Sequence, residues 1–516
     1  MERRNFIKLL IKGIVTFAGY NFILRERNPS LFIKADNSRG KERLNLIKIK
    51  EVQQATESAE SFKFQKPNII FILIDDLGWN QVGYMGITDF YETPNIDSIA
   101  REGIYFTDAY APGPTCSPTR GAILTGKYPA RLHITEFLPG DPYPWARLKA
   151  PPLPDYMPLE EITLPELLKP YGYISALIGK WHLHKIRSYI KGEPGMPDTQ
   201  GFDYVHFSEK PPYDANPYKD PHHVIELTNE AIKFIEMNKD KPFFLYIAHN
   251  TIHRPIMEDP ELVYKYIQKK GSDLAINNPI MGAMIERLDN EIGRLLRKLD
   301  ELKLSSNTII VFTSDNGGFH WLQSQEPLRA GKSTLFEGGI RIPLAVRWPA
   351  VIKPGLKSSV PVSLMDFFPT FAEIVGVKNL PENIDGVSLL PILTQSGSIN
   401  RSALFWHYPH YHRFGYMPAG AIREGRFKLI EWYERSIFKM KDPVSLFDLE
   451  DDIGERRDLA REMPDKAKEL WEKLKEWRRS VSALEMTPNP NYDPKRALLW
   501  KEDLDPNNFE SIGRYY

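Results

Sequence analysis

Four apolar stretches stand out along the chain. The first is Asn68-Ile69-Ile70-Phe71-Ile72-Leu73-Ile74, and a second is Asn307-Thr308-Ile309-Ile310-Val311-Phe312-Thr313-Ser314. Residues 242–249 and 173–178 are two more. The first two are continuous apolar runs with no alternation of apolar and polar positions, the pattern of strands buried on both faces of a parallel or mixed sheet. Between the runs, helical periodicity predicts helices over 93–103, 164–169, 224–237 and 281–302. Strands alternating with helices on this scale predict an α/β fold, with a large mixed, mostly parallel sheet flanked by helices. Around 386–399 the pattern weakens into Gly, Ser and Asn, a domain boundary signal. Shorter strand patterns at 419–422 and 427–433 and a charged helix at 465–480 come after it. They predict a smaller C-terminal α+β domain on a short antiparallel sheet. The expected divisions are therefore a core domain over 66–395 and a small domain over 396–516. No fold signal is visible after Pro488.

The length of 516 residues suits one large domain plus a smaller one. Lys+Arg and Asp+Glu both number 67, so the balance offers no sign of a nucleic-acid partner, and any anion recognition must be local. At the N-terminus, Arg3-Arg4 precede a moderately apolar stretch that ends at Leu24 and is broken by Lys12. Paired arginines before such a stretch look like a twin-arginine export signal over 1–27, and the stretch is too short for a stable transmembrane span. The polar, charge-rich segment 28–65 suits a linker. The expected location is periplasmic or extracellular.

The C-terminal ends of the apolar runs carry the candidate chemistry. The first run ends in Asp75-Asp76 and the second in Asp315-Asn316. If the strands are parallel neighbours, both acidic ends meet at one sheet edge, where open α/β folds bind ligands. Asp75, Asp76, Asp315 and Asn316 would then form an oxygen cage suited to Ca²⁺, with Mg²⁺ second. No Cys/His spacing for zinc is visible. Lys180, His182 and His253 also lie just past strand ends, and Lys332 sits in the Gly-rich Arg329-Ala330-Gly331-Lys332-Ser333. Taken singly, each has a dull explanation. Together beside a divalent ion they suit a tetrahedral anion, sulfate or phosphate.

Cys116 is the only cysteine, in Pro114-Thr115-Cys116-Ser117-Pro118-Thr119-Arg120-Gly121-Ala122-Ile123-Leu124-Thr125-Gly126. The prolines mark a loop, and 121–124 read as the start of a helix, which places Cys116 near its positive end beside Arg120. Local features leave a reactive cysteine and an inert packed one level. Arg120 comes too soon for a phosphatase loop. The spacing Cys-x-Pro-x-Arg, with Thr-Gly after it, resembles the signature of the type I sulfatases, of the alkaline phosphatase superfamily. A second family signature is similar to Gly172-Tyr173-Ile174-Ser175-Ala176-Leu177-Ile178-Gly179-Lys180-Trp181-His182.

The resemblance covers about 67–460 and implies an alkaline phosphatase-like fold and hydrolysis of sulfate esters. It implies that Cys116 is converted to formylglycine by a formylglycine-generating enzyme, which also removes a free thiol from an oxidising compartment. The hydrated formylglycine would be the nucleophile, and Cys116 with Asp75, Asp76, Asp315 and Asn316 would hold Ca²⁺. Arg120 would steady the formylglycine hydroxyls. Lys180, His253 and Lys332 would bind sulfate or protonate the leaving alcohol, and His182 would orient the second hydroxyl. The chain departs from the family pattern at His184, where Gly is frequent, and at Ile252, where Pro is frequent. The His- and aromatic-rich 404–412 segment resembles the sugar-facing region of glycan-acting members. His407 and His410, with His184 and Trp321, are accordingly expected to contact a sulfated saccharide; packing is the competing explanation for Trp406 and Tyr408. The alternative activities are those of a phosphodiesterase or phosphonate monoester hydrolase of the superfamily. An unmodified Cys116 would instead imply a non-catalytic glycan-binding protein.

Overall fold

The computed structural model describes residues 66–497, except 142 and 413–416, together with 14–17 and 20–23. The chain divides into two compact units, Met1–Gln65 and Lys66–Tyr516. In the first, Ile14–Phe17 and Tyr20–Ile23 pair antiparallel. Arg3, Arg4 and the 28–65 segment lie outside the described residues.

The second unit is built on a nine-stranded sheet. Its order is Leu356–Ser358, Ile104–Tyr110, Arg341–Arg347, Thr308–Ser314, Asn68–Ile74, Phe243–Ala248, Ile174–Gly179 and Tyr204–Phe207, with Val362–Ser363 also paired to Ile104–Tyr110. Only Arg341–Arg347 runs against the rest. The unbroken apolar runs are explained by burial on both faces. In Asn68–Ile74, Ile69, Phe71 and Leu73 enter one core, while Ile70, Ile72 and Ile74 enter the other. Ile309 and Val311 divide from Ile310 and Phe312 in the same way. Helices cover both faces. Cys116–Thr125, Leu164–Leu168 and Phe367–Val375 contribute to the first core, and Pro94–Arg101, Val224–Asn238 and Pro279–Glu301 to the second. Asn278 caps the last of these by accepting from the Ile280 and Met281 N–H groups at 3.0 and 3.1 Å.

A four-stranded antiparallel meander, Ala403–Tyr408, Ala419–Glu424, Phe427–Trp432 and Val444–Asp448, comes next in the chain. The amphipathic helix Pro464–Ser480 buries Ala467, Leu470, Leu474 and Trp477 in its core. The first strand of this second sheet begins at Ala403, after the weakened pattern at 386–399. That core also takes in Tyr110, Ala122, Tyr128 and Met365, so apolar packing is continuous across 395/396. Thr487–Pro488, near the expected end of the fold, pairs with Leu148–Lys149 of the large unit. A two-residue edge pair carries too little hydrophobic pattern to be read from sequence.

Candidate active site

Parallel pairing of Asn68–Ile74 with Thr308–Ser314 sets Ile74 opposite Ser314, so the chain leaves both strands at the same sheet edge. The Asp315 N–H donates to the Ile74 carbonyl at 3.0 Å, and the Asp76 N–H donates to Asp315 Oδ1 at 3.2 Å. Asp75, Asp76, Asp315 and Asn316 are all fully buried there. The neighbouring strands bring further groups to this edge. Lys180 directly succeeds Ile174–Gly179, its N–H donating to Ala248 O at 2.8 Å, and His253 lies beyond Phe243–Ala248. Gly179 is needed for this contact: its φ is +108°, and a Cβ there would lie 2.0 Å from Ala248 O.

The helix that carries Cys116 begins at Cys116 itself, not near Gly121 as the apolar run suggests. Pro118 is tolerated because the first-turn N–H groups have no partners within the helix. The Cys116 thiol donates to Asp75 Oδ1 at 3.3 Å and receives the Lys332 ammonium at 3.4 Å. Lys332 comes from a loop that approaches closely because Gly317 has no side chain; a Cβ there would sit 1.8 Å from Gly338 O. Its ammonium donates to Asp76 Oδ1 at 2.5 Å, and Lys180 donates to Asp75 Oδ2 at 2.5 Å. Arg120, one turn beyond Cys116, reaches Asp315 Oδ2 with two nitrogens at 3.1 and 2.7 Å and the Lys180 carbonyl at 3.2 Å.

The two histidines are held in defined tautomers. The His253 Nδ1–H donates to Arg254 O at 2.7 Å, leaving Nε2 3.7 Å from Asp76 Oδ2. The His182 Nε2–H donates to Leu138 O at 3.1 Å, leaving its buried Nδ1 with no hydrogen-bond partner among the described residues. Burial first, and then neighbouring cations, holds both imidazoles neutral, well below the ordinary histidine range. His249 is a separate buried side chain, and His253 is the one facing the carboxylates.

The charges are crowded. Burial opposes ionisation of Asp75, but Lys180, His253, Arg120 and Lys332 outweigh it and hold that carboxyl well below the usual range. Burial raises Asp76, and burial together with the Asp75 charge pushes Asp315 up to about 7. Burial also pushes the Cys116 thiol up, with Asp315 and Asp75 adding to it, so the sulfur is held as an unreactive thiol.

The donor set fits a hard divalent cation. Ligand atoms of Asp75, Asp76, Cys116 and Asp315 lie within 4.8 Å of one another. Asp76 Oδ2 and Asn316 Oδ1 are buried with no hydrogen-bond partner among the described residues. Carboxylate and amide oxygens suit Ca²⁺ or Mg²⁺, whereas a thiol does not; a carbonyl or its hydrate at position 116 would complete an all-oxygen set.

The expected sugar contacts lie elsewhere. His407 is buried, with Nδ1 2.5 Å from the Tyr433 hydroxyl and Nε2 3.0 Å from Leu484 O. Both ring nitrogens are engaged, so His407 supports the small sheet and does not face a ligand. His410 is buried against the Thr135 hydroxyl at 2.7 Å. His184 is buried, stacked on Tyr156 with ring centres 5.4 Å apart, and accepts from the Ile186 N–H. The composition of 404–412 suggested a sugar wall at His407 and His410, and the departure from the family pattern added His184; their hydrogen bonds and stacking make them packing groups. Trp406 and Tyr408 are buried, in line with the packing alternative. Trp321 differs. It lines a cavity of about 640 Å³ with His320, Arg329 and Arg456, and packs on Phe319, whose ring meets His253 and Lys332. Sequence reasoning missed Phe319, which carries no motif and comes after Gly317-Gly318 as one more apolar residue.

Comparison with known proteins agrees with this geometry. Residues 67–377 match the Sulfatase family model, and residues 330–480 match the model for the C-terminal part of N-sulphoglucosamine sulphohydrolase. A sulfatase of Formosa agariphila is 30% identical over 498 residues, covering 80% of this chain and 89% of the relative. The N-acetylgalactosamine-6-sulfatase of Mus musculus is 33% identical over 377 residues, covering 66% and 69%. The solved structure of Ps i-CgsB in complex with k-i-k-neocarrahexaose superposes with a TM-score of 0.67 at 27% identity, covering 87% of this chain and 100% of that one.

Proposed function

The chain belongs to the sulfatase family, a sulfuric ester hydrolase of alkaline phosphatase-like fold, and from that premise we propose that it removes sulfate from a sulfated carbohydrate using a formylglycine derived from Cys116 and a bound Ca²⁺. The observation that carries this is the position of Cys116. It sits at a helix N-terminus, 3.3 Å from Asp75 and 3.4 Å from Lys332, where burial and the neighbouring carboxylates hold its thiol above the ordinary range. Formylglycine would supply, as its hydrate, one hydroxyl to attack sulfur and a second whose deprotonation releases the sulfate. The ion, held by Asp75, Asp76, Asp315 and Asn316 with residue 116, would polarise the sulfate and lower the pKa of that hydroxyl.

The remaining work falls to side chains already in place. Lys180 and Lys332 bring ammonium groups to Asp75 and Asp76 respectively and can bind sulfate oxygens. Asp76 and the other carboxylates around Lys332 outweigh the effect of burial and keep it charged. His253, with Nδ1–H fixed on the backbone, presents Nε2 toward the carboxylates; burial keeps it neutral in the free protein, and the negative charge of a bound sulfate would favour the protonated ring that can serve the leaving alcohol. His182 can accept at its unpaired Nδ1 from a hydroxyl on residue 116. Arg120, fixed to Asp315 by two nitrogens, holds that ligand and steadies the hydroxyls. Trp321 lines the cavity and packs on Phe319, whose ring meets His253, and it is the sugar contact retained from the sequence. Modification requires a formylglycine-generating enzyme. Arg3-Arg4 and the single cysteine support export, and no helix among the described residues is long and apolar enough to cross a membrane. For the domain plan we keep 66–395 as catalytic and 396–516 as the smaller unit.

The test is a substrate comparison. Protein produced with a formylglycine-generating enzyme should release sulfate from 4-nitrophenyl sulfate and from members of a sulfated saccharide panel. Faster turnover of bis(4-nitrophenyl) phosphate or of a phosphonate monoester than of every sulfate ester would reverse the assignment.

A further inference from the structure

The buried cluster is balanced in charge: Arg120, Lys180 and Lys332 pair with Asp315, Asp75 and Asp76. The same sheet edge carries two cations that this pairing does not use. Tyr204–Phe207 lies parallel to Ile174–Gly179, with Phe207 opposite Gly179, so the segments after both strands emerge side by side. The Ser208 N–H donates to Gly179 O at 3.1 Å, and Asn250 Nδ2 donates to Ser208 O at 3.3 Å. These bonds fix the start of the segment that carries Lys210. Arg187 lies on the neighbouring segment, five residues past His182, and that segment is held against the end of Tyr204–Phe207 by Tyr189, whose ring stacks on Phe207 with centres 6.1 Å apart. Among the described residues neither Arg187 nor Lys210 makes an ion pair, and both keep contact with solvent.

The charges that act most on Lys210 are Arg187, Lys180, Arg254 and Lys332, with no carboxylate among them. Partial burial, and then those four cations, pushes the Lys210 ammonium down to about 8. Arg187 likewise acts on His182 alongside Lys180 and Arg120. Lys180 and Lys332 are matched by Asp75 and Asp76, so the surplus positive charge is that of Arg187 and Lys210, and bringing those two together is unfavourable in the free protein. An anion arriving there relieves the repulsion, and a guanidinium beside an ammonium suits sulfate or carboxylate oxygens.

We propose that Arg187 and Lys210 form a second anion subsite beside the catalytic groups, so that the favoured substrate is a saccharide bearing a further sulfate or carboxylate near the scissile sulfate. This deepens the sulfatase reading and rests on it. Lys180 and Lys332 serve the sulfate that is cleaved; Arg187 and Lys210 take the group that stays.

Calorimetric titration of the full chain separates the two questions, because it needs no turnover. The probes are sucrose octasulfate, trigalacturonate and inorganic sulfate. Lys210→Met and Arg187→Met should each weaken octasulfate or trigalacturonate binding by roughly 3–10-fold, the range for partly exposed charge contacts, with a smaller effect on inorganic sulfate. The probe that loses affinity identifies the retained group as sulfate or carboxylate. Lys210→Arg should restore most of the binding, and Lys239→Met, on an exposed position elsewhere, should change nothing. Unchanged affinity for both saccharide probes, or equal losses in the Lys239→Met control, would overturn the subsite. Turnover of 4-nitrophenyl sulfate by the wild-type protein tests the sulfatase reading independently.

Discussion

At the scale of single residues, Cys116 is the position on which the chemistry turns. Cys116→Ser should fold, since serine is smaller and keeps a donor toward Asp75. It has one hydroxyl where a hydrate has two, so it should take sulfate once and hold it. Mass spectrometry of the Cys116→Ser peptide after exposure to substrate should show one added sulfuryl group, and Cys116→Ala should show none; sustained wild-type turnover by the serine variant would contradict this. Asp315→Ala removes a carboxylate that Arg120 holds in place and should lower bound Ca²⁺ steeply. Elemental analysis checks it, and unchanged metal content would mean the cage is assigned wrongly. The acidic pairs could be read from sequence because each ends an unbroken apolar run. His407 and His410 could not be assigned that way. A histidine among aromatics looks the same whether it faces a sugar or bonds to a buried hydroxyl, and only the contacts to Tyr433, Leu484 and Thr135 decide it. Arg187 and Lys210 were missed for the opposite reason: a lone cation in a loop ordinarily reads as solvated.

At the scale of elements, the strands put the ligands in register, and a buried ionic network anchors the loop that brings Lys332. Lys428, on Phe427–Trp432 of the small sheet, lies 2.9 Å from both Glu337 and Glu455, and all three side chains are fully buried. Glu337 begins the short helix Glu337–Ile340, whose Gly338 N–H donates to Arg329 O at 2.9 Å and whose Gly339 carbonyl accepts from Gly317 at 2.9 Å. The small sheet thus holds the Lys332 loop against Asn316-Gly317. Lys428→Met should strand the buried Glu455 carboxylate, while Glu337 keeps Arg341 and the Tyr110 hydroxyl, and cost about 3–5 kcal/mol of stability. Urea unfolding measures it, and a loss below about 1 kcal/mol would mean that the network rearranges at little cost. The strands and long helices were legible because their periodicity is strong. The start of the Cys116 helix was not: Pro118 and the flanking prolines look like a loop, while Pro fits a first helical turn equally well.

At the scale of the whole molecule, a parallel sheet supplies the carboxylates, its loops supply the cations, and the antiparallel meander supports both from outside. The two sheets share one core, because the apolar cluster that includes Trp406 and Leu429 also includes Tyr110 and Ala122. The weakened pattern at 386–399 suggests a division there, but the shared core depends on which residues meet in space, which no local pattern records. The central claim is that catalysis depends on conversion of Cys116. The most direct measurement is sulfate release from 4-nitrophenyl sulfate across preparations made with graded amounts of a formylglycine-generating enzyme. The fraction of Cys116 converted is read from the mass of its peptide in each. The rate should rise in proportion to that fraction and extrapolate to zero for the intact thiol, whereas full activity in a preparation whose Cys116 is still a thiol would contradict the claim.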